Sequence, residues 1–235
     1  MKRNAMVAAA FLTAIIVMPA SANPGAKSPA PEASAERLYG IPEGVDLKRI
    51  VGKPRLVSTD YFVFRDAASD ERRLGGYVDI VAVYDIPMEY FLEASDDFAS
   101  YPSFVPYIIE ATILSKSDST SRIRYHSGIK FLGISVSYDS IFEATVELAP
   151  DGSAMVGSRL VESLDDAEYE HYTSTYLCPV TIEGKTMTFV RYFNRPGIKR
   201  PSLGMLQVLN VFASGEGKRQ VEAFADEAAR RAASR

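Results

Sequence analysis

The chain has 235 residues, 47% of them hydrophobic and 24% charged, with a formal net charge of −4, one cysteine and no tryptophan. That length and apolar fraction are ample for a buried core, and a lone Cys178 excludes an intrachain disulfide. Nucleic-acid binding calls for a concentrated basic face. This acidic chain offers only the C-terminal cluster Arg230, Arg231 and Arg235, so no nucleic-acid partner is expected.

The N-terminus carries Lys2 and Arg3, an apolar run from Ala5 to Met18, and then Ala20-Ser21-Ala22 as a small-residue cleavage site. This is the pattern of a signal peptide over residues 1–22. The run is shorter than the about 20 residues that a membrane-spanning helix needs. The expectation is therefore export, periplasmic or secreted, with a mature chain starting at Asn23. Residues 23–55 read as a linker and N-terminal extension. The part over 23–34 is rich in Pro, Ala and Ser without apolar periodicity, and Asp46–Val51 reads as a short helix. One domain is expected over 56–235.

Leu56–Phe64 and Tyr77–Tyr84 read as strands that can pair as a hairpin across the charged loop between them. Asp85 and Pro87 suit a helix start, because proline's missing N–H would have had no partner there. Met88, Phe91 and Leu92 then share one helical face. Pro102 and Pro106 stop the helix, and Tyr107–Leu114 restarts as a strand.

The central strands alternate with period two. In Ile134–Leu148 the even positions are largely apolar and the odd ones Ser, Asp, Thr and Glu, so one face meets a core and the other meets water. In Arg122–Phe131, Ile123, Tyr125, Ile129 and Phe131 share the apolar face. A two-residue turn at Leu132-Gly133 pairs Ile129 with Val136 and brings both apolar faces together. A three-residue loop, Pro150-Asp151-Gly152, pairs Phe142 with Leu160 and Ala144 with Ser158, and it leaves Arg159 in water; a two-residue loop would bury that arginine. Glu183-Gly184 pairs Val180 with Met187, Cys178 with Phe189 and Tyr176 with Arg191. Its inner face is expected to be Ser174, Tyr176, Cys178 and Val180 with Met187, Phe189 and Phe193. Beyond Pro201 the spacing becomes helical, with Gly215 and Gly217 allowing either one bent helix or two.

A strand ending in Asp85-Ile86-Pro87, a short helix, and then DFASYPSFVPYI resembles the opening of the START-like (SRPBCC, helix-grip) superfamily, nearest its polyketide cyclase and coenzyme-Q-binding branch. The closing VEAFADEAARR is similar to the end of that branch. The resemblance covers about Gly75 to the C-terminus. It implies an α+β helix-grip fold, a curved antiparallel sheet wrapped around a long C-terminal helix, with an apolar cavity between them.

No metal or nucleophile constellation is present in the sequence. His126 and His171 are far apart and expected on outer faces, which excludes the usual zinc clusters. No cofactor and no catalytic residue is assigned. Cys178 reads as a small buried apolar residue. Asp139, Glu143 and Glu147 point outward, and Glu162, opposite Ser140, is the inward acid. Arg191 has three open roles: its head in water at the sheet's end, a stack on Tyr176, or a ligand's polar head. Tyr125, Tyr138 and Tyr176 either pack a core or orient a ligand in a pocket. The ligand-binding set expected within the fold is Phe104, Tyr125, Ser127, Tyr138, Phe142, Leu160, Tyr176, Phe189, Arg191, Leu209 and Phe212. The expected partner is a hydrophobic or amphiphilic small molecule, a lipid, quinone or polycyclic, carried or sequestered, with transient membrane contact. The alternative is a cyclase or dehydrase using Tyr138, Tyr176 or Arg191, and a third option is an interaction module whose cavity is filled by its own side chains.

Overall fold

The computed structural model describes residues 36–131 and 134–234. The segments expected to be a signal peptide and a linker, the expected Leu132-Gly133 turn and Arg235 lie outside the described residues. Alternating sequence produces eight strands: β1 (Arg55–Arg65), β2 (Arg72–Tyr84), β3 (Ile108–Lys116), β4 (Thr120–Phe131), β5 (Ile134–Leu148), β6 (Ala154–Ser163), β7 (Glu168–Ile182) and β8 (Lys185–Lys199). They form one curved sheet in the order β1-β2-β8-β7-β6-β5-β4-β3, every neighbour antiparallel. Helices α1 (Met88–Asp96) and α2 (Tyr101–Phe104) link β2 to β3, and the chain closes with α3 (Met205–Ala233). This is the expected helix-grip arrangement of the α+β class.

Helix α3 runs unbroken through both of its glycines. Gly217 faces the sheet: a Cβ there would lie 3.1 Å from Ile80 Cγ1, so its absence lets helix and β2 approach closely. Val221, Ala225 and Ala228 continue that contact onto Val78, Ile80, Ala82 and Tyr192, with Phe91 of α1 completing the cluster. Asp85, expected to help start α1, instead pairs with Lys185, and Pro87 stands at the helix N-terminus.

The expected registers hold on the turn side of a bulge at Val161. Phe142 pairs with Leu160, Ala144 with Ser158, Glu143 with Arg159, and Gly152 takes φ +81° in the turn. Ser127 pairs with Tyr138. In β7 and β8, Cys178 pairs with Phe189 and Tyr176 with Arg191.

The facing of that last hairpin is the reverse of the expectation. Tyr176, Cys178, Val180, Met187 and Phe189 lie on the outer face, packed with Val81 and Val83 beneath Val45, Leu47, Ile50 and Val51 of the N-terminal extension. Tyr77 and Phe193 likewise pack with Leu38. The reason is that β2, β7 and β8 are covered on both faces, by helices on one and by residues 36–54 on the other. Their more apolar side therefore belongs to the extension, and alternation alone could not assign it. A second correction concerns Glu162. A bulge at Val161 sets Glu162 opposite Ile141 and Ser163 opposite Ser140. Glu162 is exposed, 3.9 Å from Arg122, and does not point inward.

Candidate ligand cavity

Small side chains create the cavity. On the inner face, Ser127 of β4, Ser158 of β6, and Thr173 and Thr175 of β7 stand where a filled core would carry Leu or Ile. Ser158 and Thr173 satisfy one another, hydroxyl to hydroxyl at 2.6 Å. Leu209, Phe212 and Phe224 of α3 form the opposite wall, and about 350 Å³ remains between them. Pockets that hold small molecules span roughly 300–1,000 Å³. The third option from the sequence, a cavity filled by its own side chains, is therefore not what the structure contains.

Six of the expected residues line this space: Tyr125, Ser127, Tyr138, Phe142, Leu209 and Phe212. Five do not. Phe104 packs edge-on against Phe224 with its ring 5.4 Å away, behind the cavity wall. Leu160 is on the inner face and packs against the cluster of Ile123 and Phe142 without lining the cavity. Tyr176 and Phe189 lie on the outer face, Tyr176 beside Tyr39. Arg191 has none of its three expected roles. Its guanidinium grips Asp79 with two bonds, 3.0 and 2.7 Å, and donates to the Tyr39 and Gly40 carbonyls, which ties the extension to the sheet. Asp79 is 1% exposed.

The sequence reading missed the polar centre of the cavity. His171, expected on the surface, lines it together with Glu168 and Asn194. His171 turns inward with Thr173 and Thr175 because the face of β7 is the reverse of the expectation. A bulge at Tyr169 brings Glu168 to the same side: Glu168 pairs with Ile198 and Glu170 with Gly197, so strict alternation fails between them. Without the bulge, positions 168 and 171 would face opposite sides of the sheet. With it, His171 Nδ1 meets Glu168 Oε1 at 2.8 Å, and Nε2 meets Asn194 Oδ1 at 2.9 Å. Ser140 donates to the second carboxylate oxygen at 2.6 Å. Burial disfavours the imidazolium, but the Glu168 charge and hydrogen bond and the Asn194 bond outweigh it, so the His171 pKa is raised. Two acceptors on two ring nitrogens are the partners an imidazolium needs.

No family model matches the chain, and no curated protein matches it. Solved structures do. A STAR-related lipid transfer protein from Xanthomonas axonopodis (fragment 25–204) aligns over 74% of this chain and 98% of its own at TM-score 0.51 and 13% identity. Human StAR-related lipid transfer protein 5 aligns over 75% of this chain and 86% of its own at TM-score 0.53 and 10% identity. The fold is START-like.

At such identities the START-like likeness extends to the fold, and the cavity chemistry must be read from this chain's own side chains. Two tyrosines stand out. Tyr125, 8% exposed, and Tyr138 both line the cavity, and neither hydroxyl has a hydrogen-bond partner among the described residues. Burial pushes both phenols well above their ordinary pKa, so they are neutral donors. Tyr101, by contrast, is committed to the Ser95 carbonyl at 2.6 Å.

One side of the cavity is bounded by Tyr107, held at φ +71° between α2 and β3. Its carbonyl accepts from the Gly128 N–H at 2.9 Å. Its hydroxyl binds Glu216 of α3, with Arg219 also donating to it at 3.2 Å. Burial and the Glu216 bond push that hydroxyl's pKa up to about 12. The loop and the helix are thereby tied together beside the cavity. Among the described residues no group of His, Cys, Asp and Glu could hold a metal ion.

Proposed function

We propose that this chain binds a hydrophobic or amphiphilic small molecule between its sheet and α3, for carriage or sequestration outside the cytoplasm. The observation that carries the reading is the cavity of about 350 Å³, apolar over most of its wall and interrupted by a few fixed polar groups. That is the composition of a site that takes up apolar surface and orients one polar end. The similarity to proteins described as lipid transfer proteins agrees with it. Mass spectrometry of organic extracts from protein purified from its native host should find one co-purifying apolar species. A protein that carries none, and that takes up no apolar probe, would contradict the reading.

Export rests on the sequence of residues 1–22 alone, and N-terminal sequencing of the isolated protein should begin at Asn23. Transient membrane contact is the natural route for loading such a ligand. Two arginines of the C-terminal cluster are engaged within the fold: Arg230 binds Glu227, and Arg231 binds Glu227 and Asp97. The better surface is apolar, Leu203 at 86% exposure and Val211 at 67%, at and near the start of α3 beside the cavity. Val211→Glu should weaken co-sedimentation with vesicles while leaving probe uptake in solution intact.

A second reading, acid–base chemistry of the cyclase or dehydrase kind, is favoured by one observation, the Glu168–His171 pair in the cavity wall. Tyr176 and Arg191 drop out of it, since neither lines the cavity. Both nitrogens of His171 are occupied, so as it stands the pair fixes the wall and has no free position for moving a proton.

A further inference from the structure

Resting on the binding reading above, a narrower statement follows from the charges of the cavity wall. Three ionisable carboxylate or imidazole groups line it among the described residues, Glu168, His171 and Glu216, and no lysine or arginine does. Each charge is already matched. Glu168 and His171 neutralise one another at 2.8 Å, and both His171 nitrogens are taken. Glu216 is matched by Arg219 at 3.1 Å and also accepts from Tyr107. An anionic head buried here would meet two carboxylates and no free cation. An ammonium head would have to take Glu168 from His171 or Glu216 from Arg219. An unpaired charge moved out of water is strongly disfavoured, whichever its sign.

What the wall does leave open is neutral. The hydroxyls of Tyr61 and Tyr125, both more than nine-tenths buried, and of Tyr138 have no hydrogen-bond partner among the described residues. A hydroxyl or carbonyl group on a ligand would satisfy one of them. Size sets the other limit. A cavity of about 150 Å³ takes benzene, so in proportion about 350 Å³ takes on the order of 14 non-hydrogen atoms, far fewer than a two-chain lipid contains.

We propose that the cavity selects an uncharged ligand of two or three fused rings, or a single chain of similar size, bearing one hydroxyl or carbonyl end, and rejects carboxylates, phosphate headgroups and ammonium ions. The test is a matched series on the full native chain near neutral pH, by calorimetry: naphthalene, β-naphthol, β-naphthoate and β-naphthylmethylammonium. β-Naphthol should bind most tightly, with naphthoate and the ammonium each weaker by tenfold or more. Naphthoate or the ammonium binding as well as naphthol would overturn the charge selection while leaving the cavity reading in place. Failure of naphthalene and naphthol alike would remove the cavity reading and this proposal with it. Ser127→Lys, which sets an ammonium in the wall, should reverse the order in favour of naphthoate. An unchanged order in a folded Ser127→Lys protein would also count against the proposal.

Discussion

Tyr169 is where β7 changes faces, and the cavity's polar centre depends on it. One extra residue in the strand puts Glu168 on the same side as His171, where Ser140 and Asn194 complete the network. No local pattern in the sequence announces that bulge, so His171 was expected on an outer face and Glu168 was not singled out. The pair makes a checkable statement about pH. The folded state raises the His171 pKa above its ordinary value of about 6.5, so it holds that proton more firmly than the unfolded chain does. The resulting stabilisation is fully present below about pH 6.5 and fades as pH rises through the raised value. Melting curves should show the native chain losing stability over that interval relative to His171→Gln. Parallel curves would show that His171 is neutral in the fold. Arg191 was opaque for a different reason: its partner Asp79 is 112 positions away. Removing one member of a buried pair costs about 3–5 kcal/mol, and Arg191→Ala should destabilise by that order and loosen residues 36–54. Arg159→Ala, whose partner Glu143 is on the surface, should stay within roughly 0.5 kcal/mol in denaturant titrations.

At the level of elements, registers were legible except at the Val161 bulge, and faces were legible in β4 and β5 but not in β7 and β8. The turn chemistry of Pro150-Asp151-Gly152 and Glu183-Gly184 fixes how strands pair, because turn length and left-handed glycines leave little choice. Which side of β7 and β8 turns inward is decided by what covers each side, and that information sits in the extension, far from the hairpin. The two glycines of α3 show the same division. Both were read alike, as points where the helix could bend or break, yet Gly217 is pressed against Ile80 and Val78 while nothing lies within 4 Å of a Cβ at Gly215. Gly215→Ala should therefore stabilise by about 1 kcal/mol, the ordinary helix preference. Gly217→Leu should destabilise by about 1–3 kcal/mol, as overpacking does. Thermal denaturation of the two variants checks both signs, and equal effects would mean that α3 does not approach β2 as closely as described.

For the whole molecule, the helix-grip architecture was legible from motif and periodicity together, and six residues of the cavity wall with it. Tyr125, Ser127, Tyr138 and Phe142 came from one well-ordered hairpin, and Leu209 and Phe212 from the helical spacing of α3. Tyr176, Phe189 and Arg191, which went astray, belong to the strands with two covered faces. Residues 36–54, read as an extension of no assigned role, form the outer cover of the sheet, and the inner face is thereby left free to carry small residues and enclose space.

The account stands or falls on whether that space is open to a ligand. Ser127 lines the cavity opposite Tyr138, with no side-chain hydrogen bond of its own to lose among the described residues, whereas Ser158→Phe would also break the bond to Thr173. The direct measurement is binding of an apolar fluorescent probe to the native chain and to Ser127→Phe, beside the folding stability of each. In a filled core, a phenyl ring forced in at that position costs about 1–3 kcal/mol. The expected result is probe binding by the native chain, its loss in Ser127→Phe, and a stability change smaller than that. Strong destabilisation by Ser127→Phe, together with no probe binding by the native chain, would contradict the cavity and every function built on it.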